Sequence, residues 1–377
     1  MMPTAGCRII SSAAPEVVSF KADQDLQPGK VEWANYIKAS AACIMLGAAF
    51  RKDVPEGYEL SFDAAIASNV PLGGGLSSSA ALEVSMATLL EEITGVRVGG
   101  VDKALRSHKW SDHNFMGIPC GIMDQFVSAL AVAGTTLLVD CRTNAFETVP
   151  LDDSGVVFVV TNTGIRHRNA SGAYGERVQQ CRDAVEAPTK AWERKSFVPH
   201  GDAVYAHAGM DAVQIKKRHP EVEQLRDASL AWVLEVQDEV DEKVFKRARH
   251  VVSEDRRTLC CAMALRRKDY GIVGGCMTES HASLRDDYEV PYRNLFAKVS
   301  IKELDLLVSI AMGTDGVYGS RMTGGGFGGC TVTLVKAEAA QALMTKLREE
   351  YLAETGNACE CVVTSPCDGA GVLVPLR

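Results

Sequence analysis

Among its twelve cysteines the sequence has no C-x-x-C pair, and neither His108 nor His113 stands at a zinc-ligand spacing from two thiols. A structural zinc module is therefore excluded. The thiols are scattered, and several sit inside apolar runs such as Thr258-Leu259-Cys260-Cys261-Ala262-Met263-Ala264, where a free cysteine behaves as a small hydrophobe. That usage predicts a reducing, cytoplasmic setting. A bilayer-spanning run is also missing: Ala41–Phe50, the longest apolar stretch near the start, is too short, and no basic region precedes it. No membrane partner and no signal peptide are expected. Excess positive charge is absent as well, with 40 Lys and Arg against 48 Asp and Glu and a net charge of -8. A general nucleic-acid or anionic-membrane binder needs the opposite balance. Internal repeats and low-complexity tracts are lacking too.

What is present is a core-forming composition, 46% hydrophobic and 23% charged over 377 residues, a length that favours two domains. Residues 31–50 read as a helix with Trp33, Ile37, Ala41, Met45 and Leu46 on one face. Glu59–Asn69 reads as a strand, Ala80–Thr94 as a helix, and Thr135–Asp140 and Val156–Thr161 as short strands. Further helices are expected over Glu176–Trp192, Lys243–Lys268 and Glu303–Met312. Between residues 196 and 242 Pro199, Gly201, Gly209 and Pro220 interrupt the pattern, which predicts a solvent-exposed insertion. Helices and strands mixed without strict alternation predict an α+β chain of two domains, divided near residues 150–160.

Two loops carry the chemistry. Val70-Pro71-Leu72-Gly73-Gly74-Gly75-Leu76-Ser77-Ser78-Ser79-Ala80-Ala81 sets three glycines before three serines at a helix start. Glycines let the backbone approach a ligand, and the open N–H groups at a helix N-terminus favour an anion. A serine-capped turn needs one glycine and one serine, so the loop is assigned to phosphate. It is neither a Walker A loop, which requires Gly-Lys-Ser/Thr, nor a G-x-G-x-x-G loop, because Ser78 stands where the last glycine belongs. The second loop, Ser320-Arg321-Met322-Thr323-Gly324-Gly325-Gly326-Phe327-Gly328-Gly329, runs into a β-branched strand that ends at Val335. Its glycines imply close approach to a ligand or to another backbone segment such as the first loop. Anion-friendly chemistry in both halves points to a cleft between domains. Asp124, inside the apolar run Ile118–Phe126, is either a general base or the N-cap of a helix over Gln125–Ala131. His108 and His113 read as surface residues.

These segments together resemble the galactokinase family, within the superfamily of galactokinase, homoserine kinase, mevalonate kinase and phosphomevalonate kinase. Pro71–Ala81 resembles its phosphate loop, Met322–Gly329 its C-terminal glycine motif, and Cys120–Phe126 the segment with its catalytic aspartate. Thr161–His167 with Tyr174, Arg247–Val252 and Ser280–Tyr288 are similar as well. The likeness runs from about residue 31 to 335 and is weakest over 196–242.

The resemblance implies a two-domain small-molecule kinase fold, with domains over 1–155 and 156–377 and the active site in the cleft between them. It implies a sugar and ATP as partners, Mg2+ as cofactor, and transfer of phosphate to the anomeric hydroxyl of galactose. Gly73, Gly74, Gly75, Leu76, Ser77, Ser78 and Ser79 would wrap the ATP phosphates, and Trp33 would line the adenine pocket. Asp124 would accept or orient the sugar hydroxyl proton, Gly121 and Tyr174 would touch the sugar, and Ser79 and Asp112 would hold Mg2+. Asp112 stands where the family has a glutamate, one methylene longer. The family's G-R-V-N-L-I-G-E-H-T-D-Y segment, which supplies an arginine and the sugar-gripping side chains, has no counterpart here. Met1–Lys30 reads as the region following it, with Val17–Lys21 as a strand. The expectation is a chain whose start site or first exon lies outside this sequence, with turnover reduced by roughly 10³- to 10⁵-fold if that arginine stabilises the transition state. Two other functions fit the same motifs: an N-acetylgalactosamine kinase, and a non-catalytic galactose- and ATP-responsive regulator.

Overall fold

The computed structural model describes residues 6–23, 25–46, 58–109, 115–117, 121–165, 217–240, 242–288, 302–324 and 329–373. The chain opens with a hairpin, β1 (Cys7–Ser11) and β2 (Ala14–Phe20), the second of which is the strand expected around Val17–Lys21. After helix α1 (Glu32–Leu46) comes β3 (Phe62–Ile66), which pairs parallel to β1 and completes a sheet of order β2-β1-β3. This strand is shorter than the Glu59–Asn69 expectation. Helices α2 (Ser78–Thr94), α3 (Gly100–Ser107) and α4 (Met123–Leu130) follow, then the hairpin β4 (Thr135–Asp140) and β5 (Ala145–Pro150).

Cys7 and Ile9 of β1, Ile37 and Ala41 of α1, and Met86 and Leu90 of α2 interlock as the first core. Their spacing explains the packing: apolar positions alternate along the strand and recur at i and i+4 along both helices. A fully buried side chain such as Ile37 or Leu90 contributes about 1.5–3 kcal/mol.

The second half is built on β6 (Val156–Asn162), β7 (Val317–Met322), β8 (Cys330–Lys336) and β9 (Glu360–Thr364), an antiparallel sheet of order β7-β8-β6-β9. Around it run α5 (Leu230–Glu235), α6 (Glu242–Arg266), α7 (Tyr270–Asp286), α8 (Lys302–Met312) and α9 (Ala340–Thr355). Val159 and Val335 of the sheet pack on Leu307, Leu343, Leu347 and Tyr351 of the helices. On the other side α7 approaches β7 backbone to backbone: a Cβ on Gly274 would lie 2.0 Å from the Tyr318 carbonyl oxygen. The chain then returns to the first half, where the N–H of Gly369 donates to Ala131 O and that of Ala370 to Ser128 O.

Four expectations are corrected. Ser320, Arg321 and Met322 belong to β7, so the second glycine loop begins after Met322. α4 starts at Met123 with Ile122 as its N-cap residue, which places Asp124 inside the first turn and removes its capping role. His108 is buried, 8% exposed, at the end of α3. Over 217–240 the chain is no exposed insertion: Val222, Leu225 and Val233 are fully buried against Phe245, Ala248 and Val252 of α6. Arg142–Asp227 and Arg226–Asp140 tie this segment to the β4–β5 turn. Hydrophobic spacing decides the described part, and residues 196–216, with Pro199, Gly201 and Gly209, lie outside the described residues. The expected helix over Glu176–Trp192, together with His113, lies outside the described residues.

Candidate active site

The phosphate-type loop turns through Gly73 (φ 70°) and Gly75 (φ 72°) and reaches Ser77, a non-glycine residue in the left-handed region (φ 55°, ψ 49°). Left-handed backbone costs an L-residue roughly 1–2 kcal/mol, and such strain clusters at functional sites. Ser77 occupies the N-cap position of α2, yet its hydroxyl caps nothing there. It donates instead, in a short hydrogen bond, to Oδ2 of Asp124 on α4. Among the described residues no side chain caps the first-turn N–H groups of α2, which is the arrangement an anion needs. Ser78 and Ser79 stand in that same turn, half-buried.

The direction of Asp124 is set by its neighbours. Gln125, 2% exposed, donates its Nε2 to Oε2 of the fully buried Glu83 on α2 at 3.1 Å. Phe126 is fully buried with Ala104 and Ile122, its ring edge-on to Phe146. With two successive side chains locked inward, the half-buried Asp124 is left facing the loop. Gly121, just before α4, faces open space: a Cβ there would meet no atom within 4 Å.

Two glycines of the second loop pack on the first loop, while Gly325, Gly326 and Gly328 lie outside the described residues. A Cβ on Gly324 would lie 2.7 Å from Gly75 Cα and O, and one on Gly329 would lie 2.7 Å from Gly74 O. Of the two readings of these glycines, backbone contact explains Gly324 and Gly329. The loop neck is closed by Thr323 N donating to Cys330 O at 2.9 Å. Cys330 Sγ sits where a side chain on Gly74 would meet it at 3.4 Å, and burial pushes this thiol up to about 11, so it stays neutral.

Of the residues singled out from sequence, the structure brings Gly73–Ser79 and Asp124 together. Trp33 packs at the edge of the first core, half-buried, and its indole Nε1 is buried without a hydrogen-bond partner. Asp112 and Tyr174 lie outside the described residues. The Arg247–Val252 and Ser280–Tyr288 segments pair with each other: Arg249 bridges Asp287, Arg247 donates to the Asp287 carbonyl, and His250 Nδ1 lies 2.9 Å from Ser283 Oγ with its ring stacked on Tyr288. Burial pushes the His250 imidazole down to about 4. These residues hold α6 to α7.

Sequence reasoning missed the Ser77–Asp124 bond and the Glu83–Gln125 stitch. A signal for the latter existed in Glu83, a carboxylate set among the apolar residues of α2.

Two glycine loops meet at a helix N-terminus, with a carboxylate hydrogen-bonded to one of them, and the chain that carries them is matched by the models of the small-molecule kinases of the GHMP class. The GHMP kinases N terminal domain model matches residues 35–132, and the GHMP kinases C terminal model matches residues 262–353. Human galactokinase is 40% identical over 352 residues, 93% of this chain and 76% of that one. Galactokinase of Chloroflexus aggregans is 35% identical over 366 residues, 97% of this chain and 81% of that one. The structure of Lactococcus lactis galactokinase complexed with galactose superposes with a TM-score of 0.80 at 26% identity, covering 98% of this chain and 85% of that one. A mevalonate kinase shares the fold, with a TM-score of 0.54 at 15% identity over 97% of this chain and 87% of that one. The chain belongs to the galactokinase family.

Proposed function

We propose that this chain transfers the γ-phosphoryl group of ATP to the anomeric hydroxyl of galactose, yielding galactose 1-phosphate, ADP and a proton. The observation that carries the reading is the hydrogen bond between Ser77 and Asp124, which couples the phosphate loop to the carboxylate. Gly73–Ser79 would cradle the phosphates with backbone N–H groups and the Ser78 and Ser79 hydroxyls. Asp124 would accept, or hold in line, the proton of the attacking hydroxyl. In phosphoryl transfer the protein contributes positioning and relief of developing charge, and an oriented carboxylate serves the first. Trp33, half-buried at the edge of the first core, would line the adenine pocket with the exposed part of its ring. Gly121 leaves room for a sugar ring, and the family resemblance assigns Tyr174, outside the described residues, to the same sugar.

Among the described residues no group of three or more His, Cys, Asp or Glu side chains could hold a metal alone. The Ser79 hydroxyl and the Asp112 carboxylate are hard oxygen donors, of the type Mg2+ takes alongside nucleotide phosphates. When bound there, the ion would offset the charge of the β- and γ-phosphates. We place the boundary between the domains at residues 155/156, just ahead of β6. A cytoplasmic location is supported by free thiols at every described cysteine. Among the described residues no helix is long and apolar enough to cross a membrane. The relatives reported above are galactokinases, and neither N-acetylgalactosamine phosphorylation nor a purely regulatory role draws support from them.

The test is phosphorus NMR of ATP, Mg2+ and galactose with the chain and with Asp124→Asn. Galactose 1-phosphate is expected from the first. The variant should lose at least about 10²-fold in kcat, the contribution typical of a positioned base, with ATP affinity unchanged. Chelating the divalent ion should stop both reactions. Full turnover by Asp124→Asn would remove Asp124 from the chemistry.

A further inference from the structure

A buried line of hydrogen bonds runs from the last long helix to Gly329, whose backbone packs on the phosphate loop. Tyr351 on α9 is fully buried, and its hydroxyl donates to the Thr163 carbonyl at 3.1 Å. Burial pushes that phenol up to about 12, so it remains a donor across the working pH range. Thr163, also fully buried, lies just beyond the end of β6. Both its N–H and its Oγ1 hydroxyl donate to the Gly329 carbonyl, each at 2.9 Å, using both lone pairs of that oxygen. Gly329 (φ 93°) in turn lies so close to Gly74 that no Cβ fits between them.

We propose that Tyr351 and Thr163 are positioning residues that hold the exit of the second glycine loop against the phosphate loop and so set nucleotide affinity. The inference rests on ATP occupying Gly73–Ser79. Three features favour positioning over simple packing. The acceptor is the carbonyl of the loop residue itself, it is doubly engaged, and the line ends on the backbone of Gly74 with no flexible side chain in between. Slack anywhere along it would let the second loop lift from the first and widen the phosphate cradle. The sugar side of the site, Gly121 and Asp124, touches the first loop through Ser77 but has no bond to Gly329, and Phe126 anchors it in the Ala104–Ile122 cluster, so it would hold when the second loop slackens.

The experiment measures affinity for a fluorescent ATP analogue and for galactose in the full chain carrying Tyr351→Phe, Thr163→Val or Thr163→Ser. Circular dichroism verifies folding. Tyr351→Phe removes only the donor, and Thr163→Val removes only the hydroxyl. Each should raise the nucleotide Kd about two- to tenfold, the equivalent of one hydrogen bond, with galactose affinity unchanged. Thr163→Ser, which keeps the hydroxyl, should restore the nucleotide Kd to within about twofold. Unchanged nucleotide affinity in folded variants would overturn the proposal, as would equal losses for both ligands, the mark of general loosening. If Tyr351→Phe fails to fold, the Thr163 pair decides alone. Should the unaltered chain bind no nucleotide, the loop assignment falls, and this inference with it.

Discussion

Replacing Ser77 by alanine and by glycine separates two quantities that meet at this residue. The serine holds a left-handed backbone (φ 55°, ψ 49°), and its hydroxyl donates to Asp124. A hydrogen bond to a charged acceptor is worth about 1.5–3 kcal/mol, and left-handed backbone costs a side-chain-bearing residue about 1–2 kcal/mol relative to glycine. Ser77→Ala loses the bond and keeps the strain. Ser77→Gly loses the bond and sheds the strain. In both, Asp124 loses the donor that aims it, so kcat should fall by about 10- to 100-fold, the range that corresponds to that bond and to a misplacement of roughly 1 Å. In chemical denaturation, however, Ser77→Gly should be about 1–2 kcal/mol more stable than Ser77→Ala and close to the parent. Steady-state kinetics with ATP and galactose, run beside urea titrations of the same preparations, read both effects. Wild-type turnover in Ser77→Ala would refute the claim that this hydroxyl orients the carboxylate. A glycine variant less stable than the alanine one would refute the left-handed geometry.

Two further perturbations follow from the packing. Gly329→Ala puts a methyl 2.7 Å from Gly74 O at a residue with φ 93°, so it should abolish measurable ATP binding or unfold the loop neck; an alanine variant with parental nucleotide affinity would contradict the contact. His250, pushed down to about 4 by burial against an ordinary value of 6.5, binds its proton less readily folded than unfolded. Its contribution is fully present above pH 6.5 and is lost as pH falls toward 4, up to about 3 kcal/mol in all. Denaturation curves at pH 7 and pH 5 should differ accordingly, and His250→Asn should flatten that difference.

The loops show how far a linear reading reaches. Glycines before serines at a helix start signal an anion site because they act through local backbone geometry, and that geometry is found at Gly73–Ser79. Residues whose meaning depends on what stands opposite were not readable. Gly324 and Gly329 could have faced a ligand or a chain segment, and only the crossing of the two loops decides for the chain. Asp124 could have been an N-cap or a base; two residues of difference in where α4 begins remove the cap. Residues 196–242 read as an insertion because Pro199, Gly201, Gly209 and Pro220 interrupt the pattern, whereas over the described part Val222, Leu225 and Val233 find the apolar side of α6 in space.

By itself, then, the sequence determined what is local or periodic: the helices and strands, the two glycine loops, the acidic charge balance, and enough motif order to name a family. Tertiary structure alone decided which groups touch. It turned Ser77 from a cap into a donor for Asp124, locked Asp124 toward the loop through Gln125 and Phe126, and linked Tyr351 to Gly329 across 22 residues of sequence by way of Thr163. Hydrogen bonds between distant segments carry no spacing signature, because the partner is chosen by the packing of helices and sheet and not by the chain between them.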